Sequence, residues 1–169
     1  GGDIVATLAD RHQARFKRAP RIRAEMAAIN IDGVRAVLAR PNVFMNESGQ
    51  AIAPLVKYFG IPLDRLLVVH DDIDLPFAKL RVQEGRGSGG NNGVASTIRS
   101  LGDEAFWRLK CGVGWPPGRM QPAAFVLKPF AKQERDEADL LRQYGADVIE
   151  IFITDGGAEA RQRAGEINQ

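Results

Sequence analysis

Apolar residues recur along this chain in two rhythms, one of three to four residues and one of two, with glycines and prolines punctuating the stretches between. Ile4, Val5, Leu8, His12 and Phe16 fall on one face of a helix that Asp3 can cap, and the helix runs into the basic segment 15–23. Residues 22–29 and 34–39 flank Asp32 and Gly33, a pair that tolerates the positive backbone angles of a tight turn, so a β-hairpin is predicted. Pro41 stops its second strand. After Ser48 the residues Ile52, Leu55, Val56 and Phe59 return to helical spacing until Gly60 and Pro62 end the element.

Leu66, Leu67, Val68 and Val69 form a short apolar run of the kind that makes a buried strand, predicted over 66–70. An extended piece follows at 79–83, then a glycine-rich loop and a helix through Val94, Ile98 and Leu101. Trp107, Leu109, Cys111 and Val113 alternate with Arg108 and Lys110, which predicts a strand with one polar face. Beyond the loop at 114–118 the pattern predicts a short helix over 122–127, a long one over 133–154 and a last one over 156–165. Strands alternating with helices, with a hairpin among them, give an α/β fold: a single three-layer domain with a mixed central sheet flanked by helices.

Composition narrows the class. With 169 residues, 44% of them hydrophobic and 26% charged, the chain can bury one substantial core and is too short for two independent domains. No apolar run approaches membrane-spanning length and no basic segment leads into a hydrophobic one at the start, so a cytoplasmic protein without membrane contact is expected. The single cysteine, Cys111, excludes an internal disulfide, and with only His12 and His70 beside it a structural zinc site is not expected; Cys111 reads as a buried strand residue. The net charge of +2 diagnoses no partner, but residues 79–119 hold seven Lys or Arg against three acids, which allows a basic face beside the glycine loop.

Candidate chemistry gathers where strand 66–70 should surface. Asp71 is the carboxylate nearest that strand end, and a carboxylate there can orient and charge-stabilise an imidazole acting as general base. Asp72 and Asp74 can instead hold the backbone of the turn into Leu75 and Pro76 or face water, and a divalent metal is the weaker reading because no complementary acidic cluster exists. The loop from Gly85 to Gly90 satisfies G-x-G-x-x-G, the form of a dinucleotide fingerprint, yet its preceding strand is mostly polar and no acidic residue closes a following apolar strand. A backbone-rich flap that approaches a phosphate or carbonyl is the other use of such a loop. Asn91 and Asn92 add amide groups, at least one of which serves as a helix cap. Phe44 and Met45 sit where the chain passes from hairpin to helix and read as core, with a substrate platform as the alternative.

Taken together, these segments resemble the bacterial peptidyl-tRNA hydrolase family from the first helix to the last. Residues 40–49 look like that family's Lys/Arg-Pro-x-x-x-Met-Asn-x-Ser-Gly segment, 68–76 like its Val-Val-His-Asp-Asp/Glu-Leu-Asp-Leu-Pro segment, and 85–93 like its glycine-rich loop. Residues 107–114 fit its Arg-Leu-Arg-x-Gly-x-Gly strand, and Phe125, Val126, Leu127 and Phe130 match the run before its long C-terminal helix. The resemblance implies hydrolysis of the ester between peptide and tRNA, releasing free tRNA and peptide, by a monomer that needs no metal or nucleotide cofactor. The implied partner is peptidyl-tRNA, met at its 3′ end and acceptor stem. Carried over by position, Asp71 would stabilise the catalytic histidine, Asn46 and Asn92 would hold the water and substrate, Phe44 would contact the tRNA 3′ end, and Lys110 would hold a phosphate with the charge but not the fork geometry of the family's arginine.

The sequence departs from the family pattern in four places. The family's opening strand, its Gly-Leu-Gly-Asn-Pro-Gly turn and the following His-Asn pair have no counterpart in residues 1–169, and neither His12 nor His70 matches the proposed base. Asn91 stands for a histidine, Gln83 for a basic residue and Trp115 for Arg or His. The expectation is a hydrolase whose base lies upstream of Gly1 and which is impaired as given. The alternative is a catalytically inactive, hydrolase-like RNA-binding protein.

Overall fold

The computed structural model describes residues 2–42, 47–112 and 132–168. The first helix, α1 (Gly2–Arg11), buries Ile4, Leu8 and Ala9. Asp3 lies inside it rather than capping it, and the helix stops short of the predicted extent: the backbone turns at His12 and at Gln13, whose φ is 55°. Phe16 lies beyond that turn, and Lys17–Arg18 forms a short strand, β1, opposite Met26 and Glu25. Pairing with a neighbouring strand here overrides a helical rhythm.

The hairpin forms as predicted. Strands β2 (Ala24–Ile31) and β3 (Val34–Pro41) pair antiparallel from Ile31 opposite Val34 to Ala24 opposite Pro41. Asp32 and Gly33 take φ of 51° and 84°, and the Asn30 side chain accepts a hydrogen bond from the Gly33 amide at 3.0 Å. Helix α2 (Ser48–Phe59) ends at Gly60 in the left-handed region, where the amides of Gly60 and Ile61 close onto Lys57 and Val56.

A second sheet contains β4 (Leu67–Asp72), β5 (Leu80–Glu84) and β6 (Trp107–Gly112), in the order β4-β6-β5, with β4 parallel and β5 antiparallel to β6. Helix α3 (Asn92–Leu101) joins β5 to β6, and the chain closes with α4 (Lys132–Asp155) and α5 (Gly157–Ile167). The predicted helix at 122–127 lies outside the described residues. The one central sheet expected from sequence is, among the described residues, two three-stranded sheets, one antiparallel and one mixed. Side-chain packing joins them: Leu38 of β3 and Leu109 of β6 share one core with Leu8 of α1 and Val148 of α4.

Three layers result. Ala27, Ile29 and Leu38 face the main core, while Ala24, Met26 and Ala39 on the other side of the hairpin pack against Ala51 and Leu55 of α2. The mixed sheet has the same two-sidedness. Its residues Leu80, Val82, Leu109 and Cys111 turn inward, Trp107 lies against Gly157 at the start of α5, and the Asn168 side-chain amide pairs with the N–H and carbonyl of Leu80 at 3.0 and 2.6 Å, finishing the edge of β5. Strand β4 corrects a prediction: Leu67 to Val69 are only half-buried, β4 being an edge of its sheet among the described residues. The alternation expected in β6 places Arg108 on the polar face, yet that face is not solvated at Arg108, whose exposure is 1%.

Candidate active site

The carboxylates after the strand divide between the two faces of the sheet. Alternation along β4 puts Asp71, which is exposed, on the side of Leu67 and Val69, level with Cys111. Asp72 falls on the other side with His70; its carboxylate accepts the Asp74 amide at 2.8 Å and lies 3.9 Å from the Lys110 ammonium. Asp72 is therefore the turn-holding aspartate anticipated from sequence, and Asp74 faces water. Cys111 is buried as expected, and burial pushes its thiol up to about 12.

His70 lies directly across from Lys110, and its Nδ1 is 3.0 Å from the Asp71 carbonyl oxygen. Burial drives its pKa below the usual imidazole value against the opposing pull of that hydrogen bond, and the nearby charge of Lys110 pushes the same way as burial. Burial thus favours the neutral ring, and since a carbonyl oxygen only accepts, Nδ1–H donates to Asp71. Its Nε2 is buried without a hydrogen-bond partner among the described residues. His12, on the far side of the core, pairs with Glu150 at 2.8 Å.

The glycine loop is folded onto the polar face of the mixed sheet. Gly85, Arg86 and Gly87 all have left-handed backbone angles, of 65°, 68° and 70°. The Gly85 amide donates to the Phe106 carbonyl at 3.1 Å, and the Gly87 amide donates to the Glu104 carboxylate at 3.1 Å. The Arg108 guanidinium donates to the carbonyls of Gly85, Gly87 and Glu104. Lys110, two residues on and facing the same way, is only 13% exposed at its side chain, and its Nζ lies 3.7 Å from where a Cβ on Gly89 would sit. Lys110 is therefore beneath the loop rather than out on a basic rim, and Arg108 is withdrawn from any such rim altogether.

At the loop's end Asn91 is the helix cap: its side-chain oxygen accepts the Val94 amide at 2.9 Å, and its own amide donates to Ser88 at 3.0 Å. Asn92 is the exposed first residue of α3. Because β5 and β6 are antiparallel, α3 is not the crossover of a parallel β-α-β unit, so the loop lacks the framework of a dinucleotide fingerprint. Among the described residues no group of three or more His, Cys, Asp or Glu is arranged to hold a metal ion.

Phe44 and Asn46 lie outside the described residues. The start of α2, just after them, is firmly seated: the Gly49 amide donates to the Ser96 hydroxyl at 2.9 Å, and a Cβ on Gly49 would collide with the Ser96 backbone. This contact holds the first turn of α2 against α3, so the chain leaving Asn46 enters its helix against the helix that Asn92 opens. Of the predicted site residues, Lys110 and Asn92 border the glycine loop while Asp71 lies on the opposite side of its sheet. Arg108 and Glu104 were not among the candidates; their signal in the sequence is only that Arg108 shares the alternation of Lys110.

The family model for peptidyl-tRNA hydrolase matches residues 1–169. The chain belongs to that family. A peptidyl-tRNA hydrolase of Frankia casuarinae is 43% identical over 160 residues, which cover 95% of this chain and 81% of the relative. One from Mycobacterium tuberculosis is 42% identical over 163 residues, covering 96% and 85%. Among solved structures, a peptidyl-tRNA hydrolase complexed with n-propanol superposes with a TM-score of 0.88 at 26% identity, over 97% of this chain and 83% of that one. The enzyme from Acinetobacter baumannii gives 0.86 at 25%, over 95% and 82%. The α/β fold expected from sequence is the peptidyl-tRNA hydrolase fold. Because the family match begins at the first residue, it lends no support to the expected impairment of the chain or to the inactive alternative. No helix among the described residues is long and apolar enough to cross a membrane.

Proposed function

We propose that this protein cleaves the ester between peptide and tRNA in peptidyl-tRNA, as a cytoplasmic monomer acting in translation without a metal or cofactor. The observation that carries the reading is the family match along the whole chain. Ester hydrolysis needs an activated water and donors near the developing oxyanion, and paired amides meet the second need. In this reading Asn92, at the head of α3, and Asn46 hold water and substrate, and the contact of Gly49 with Ser96 seats the start of α2 against α3. Phe44 meets the tRNA 3′ end and Lys110 a tRNA phosphate, its ammonium lying 3.7 Å from where a Cβ on Gly89 would sit.

Asp71 orients the imidazole that activates water. Neither histidine of the chain suits that part: His12 is paired with Glu150, and His70 donates through Nδ1 to the Asp71 backbone rather than to its carboxylate. The reading thus takes the base from a residue other than these two, and the outer edges of β3 and β4, unpaired among the described residues, would accept a further strand.

The test compares cleavage of an N-blocked aminoacyl-tRNA by this chain, by the chain extended at its N-terminus with the natural upstream segment, and by that extended protein carrying Asp71→Asn. Cleavage by the extended protein, reduced by about a hundredfold or more in the variant, is expected. An extended protein that binds tRNA and leaves the ester intact makes it an RNA-binding module instead. Full activity of the 169-residue chain alone refutes the external base.

A further inference from the structure

Arg108 is the largest fully buried side chain among the described residues, and among them no carboxylate hydrogen-bonds to it. Its partners are carbonyls from two separate segments. One guanidinium nitrogen donates to both Gly85 and Gly87, the other donates to Glu104 at 3.1 Å, and the guanidinium carbon stands 4.7 Å from the centre of the Phe106 ring. Placing a cation away from water is unfavourable, and an apolar side chain would fill the space without that cost. What the planar fork adds, and an apolar group cannot, is convergence: it holds several carbonyls at fixed directions.

The held segment would not keep its shape unaided. Three consecutive residues in the left-handed region include Arg86, for which that conformation is strained. Their winding aims the Gly85 and Gly87 carbonyls inward at Arg108, and the Glu104 carboxylate secures the Gly87 amide from outside. From Gly87 the chain passes over Lys110, bonds back on itself from Asn91 to Ser88, and delivers Asn92 at the head of α3.

We propose that Arg108 is a positioning residue for ester hydrolysis, clamping the root of the glycine loop so that the Asn92 amide is held where it meets the substrate. This rests on the reading of Asn92 given above. Arg108 touches neither substrate nor water; it acts through the loop, and Glu104 is its outer partner.

The experiment uses the N-terminally extended protein and measures kcat and KM on N-blocked aminoacyl-tRNA for the parent, Arg108→Lys, Glu104→Gln, Asn92→Ala and the Arg108→Lys/Asn92→Ala double variant, with amide hydrogen exchange across 85–92. Arg108→Lys is expected to lower kcat about ten- to a hundredfold with KM little changed, and to speed exchange at Gly87 and Asn91 while β6 stays protected. Once Asn92 is alanine, removing Arg108 should cost little more, because both changes act on the same amide. Glu104→Gln, which alters only an exposed side chain, should give a weaker effect of the same kind and stands in if Arg108→Lys does not fold. Multiplicative losses in the double variant, or unchanged loop exchange, overturn the inference while leaving the hydrolase reading intact. An inactive parent overturns both.

Discussion

The two faces of the mixed sheet are built from the same three strands and held by opposite physics. On one face Leu80, Val82, Leu109 and Cys111 are closed over by helices, and the stabilisation is area removed from water, about 1.5–3 kcal/mol for each large side chain. On the other, the register lines up His70, Lys110 and Arg81 across the strands, with Gln83 beside Arg108, under a loop rather than a helix. That face contributes direction rather than burial. One strand can thus serve as core and as scaffold at once: Leu109 and Cys111 of β6 pack in the core, and Arg108, between Trp107 and Leu109, bonds to the loop.

Faces held so differently should respond unequally to mutation. Leu109→Ala should cost about 2–5 kcal/mol, seen as a lower urea midpoint with an unchanged slope, while activity per folded molecule is kept. Gly157→Ala, which pushes a methyl group into the Trp107 ring at the foot of α5, should cost about 1–3 kcal/mol by the same measurement. Arg108→Met, which fills the space without the charge, should cost under about 1.5 kcal/mol and still lower turnover of N-blocked aminoacyl-tRNA. If Arg108→Met destabilises as much as Leu109→Ala, the two faces are equally structural and the contrast between them fails.

The smallest effect concerns pH. His70 is held below its ordinary pKa of 6.5 by burial, so the folded protein keeps it neutral where the unfolded chain binds a proton. Its contribution to stability is thus fully present above about pH 6.5 and is lost as the pH falls through the lower, folded value. His70→Gln should weaken the fall in melting temperature between about pH 7.5 and the acid side of that window, measured by thermal unfolding at constant ionic strength. A parent and variant whose melting temperatures fall in parallel would place the acid sensitivity elsewhere.

Most of the elements are legible in the sequence because they are decided locally. Asp32 and Gly33 can take left-handed angles, Gly60 can end a helix, and Asn91 can accept an amide three residues on, each from its own chemistry and immediate neighbours. Of the candidate site, Asp71, Asn92 and Lys110 emerge from the family resemblance and have defined places in the fold, while Phe44 and Asn46 lie outside the described residues. The sequence shows Arg108 only as part of a polar strand face, because its partners Gly87 and Gly85 stand 21 and 23 residues earlier in the chain, on a loop whose path no local pattern encodes.

The α/β class, the hairpin and its turn, the caps at Gly60 and Asn91, and the shared face of Arg108 and Lys110 are written in the sequence, since backbone preference and side-chain alternation are settled within a few residues. Other features needed the assembled fold: α1 yields to β1 after Arg11, β4 is half-exposed and an edge among the described residues, Asp71 and Lys110 look to opposite sides, and a buried arginine bonds to the glycine loop. Burial and partnership depend on what packs against a residue from distant parts of the chain, and that is set by the fold as a whole.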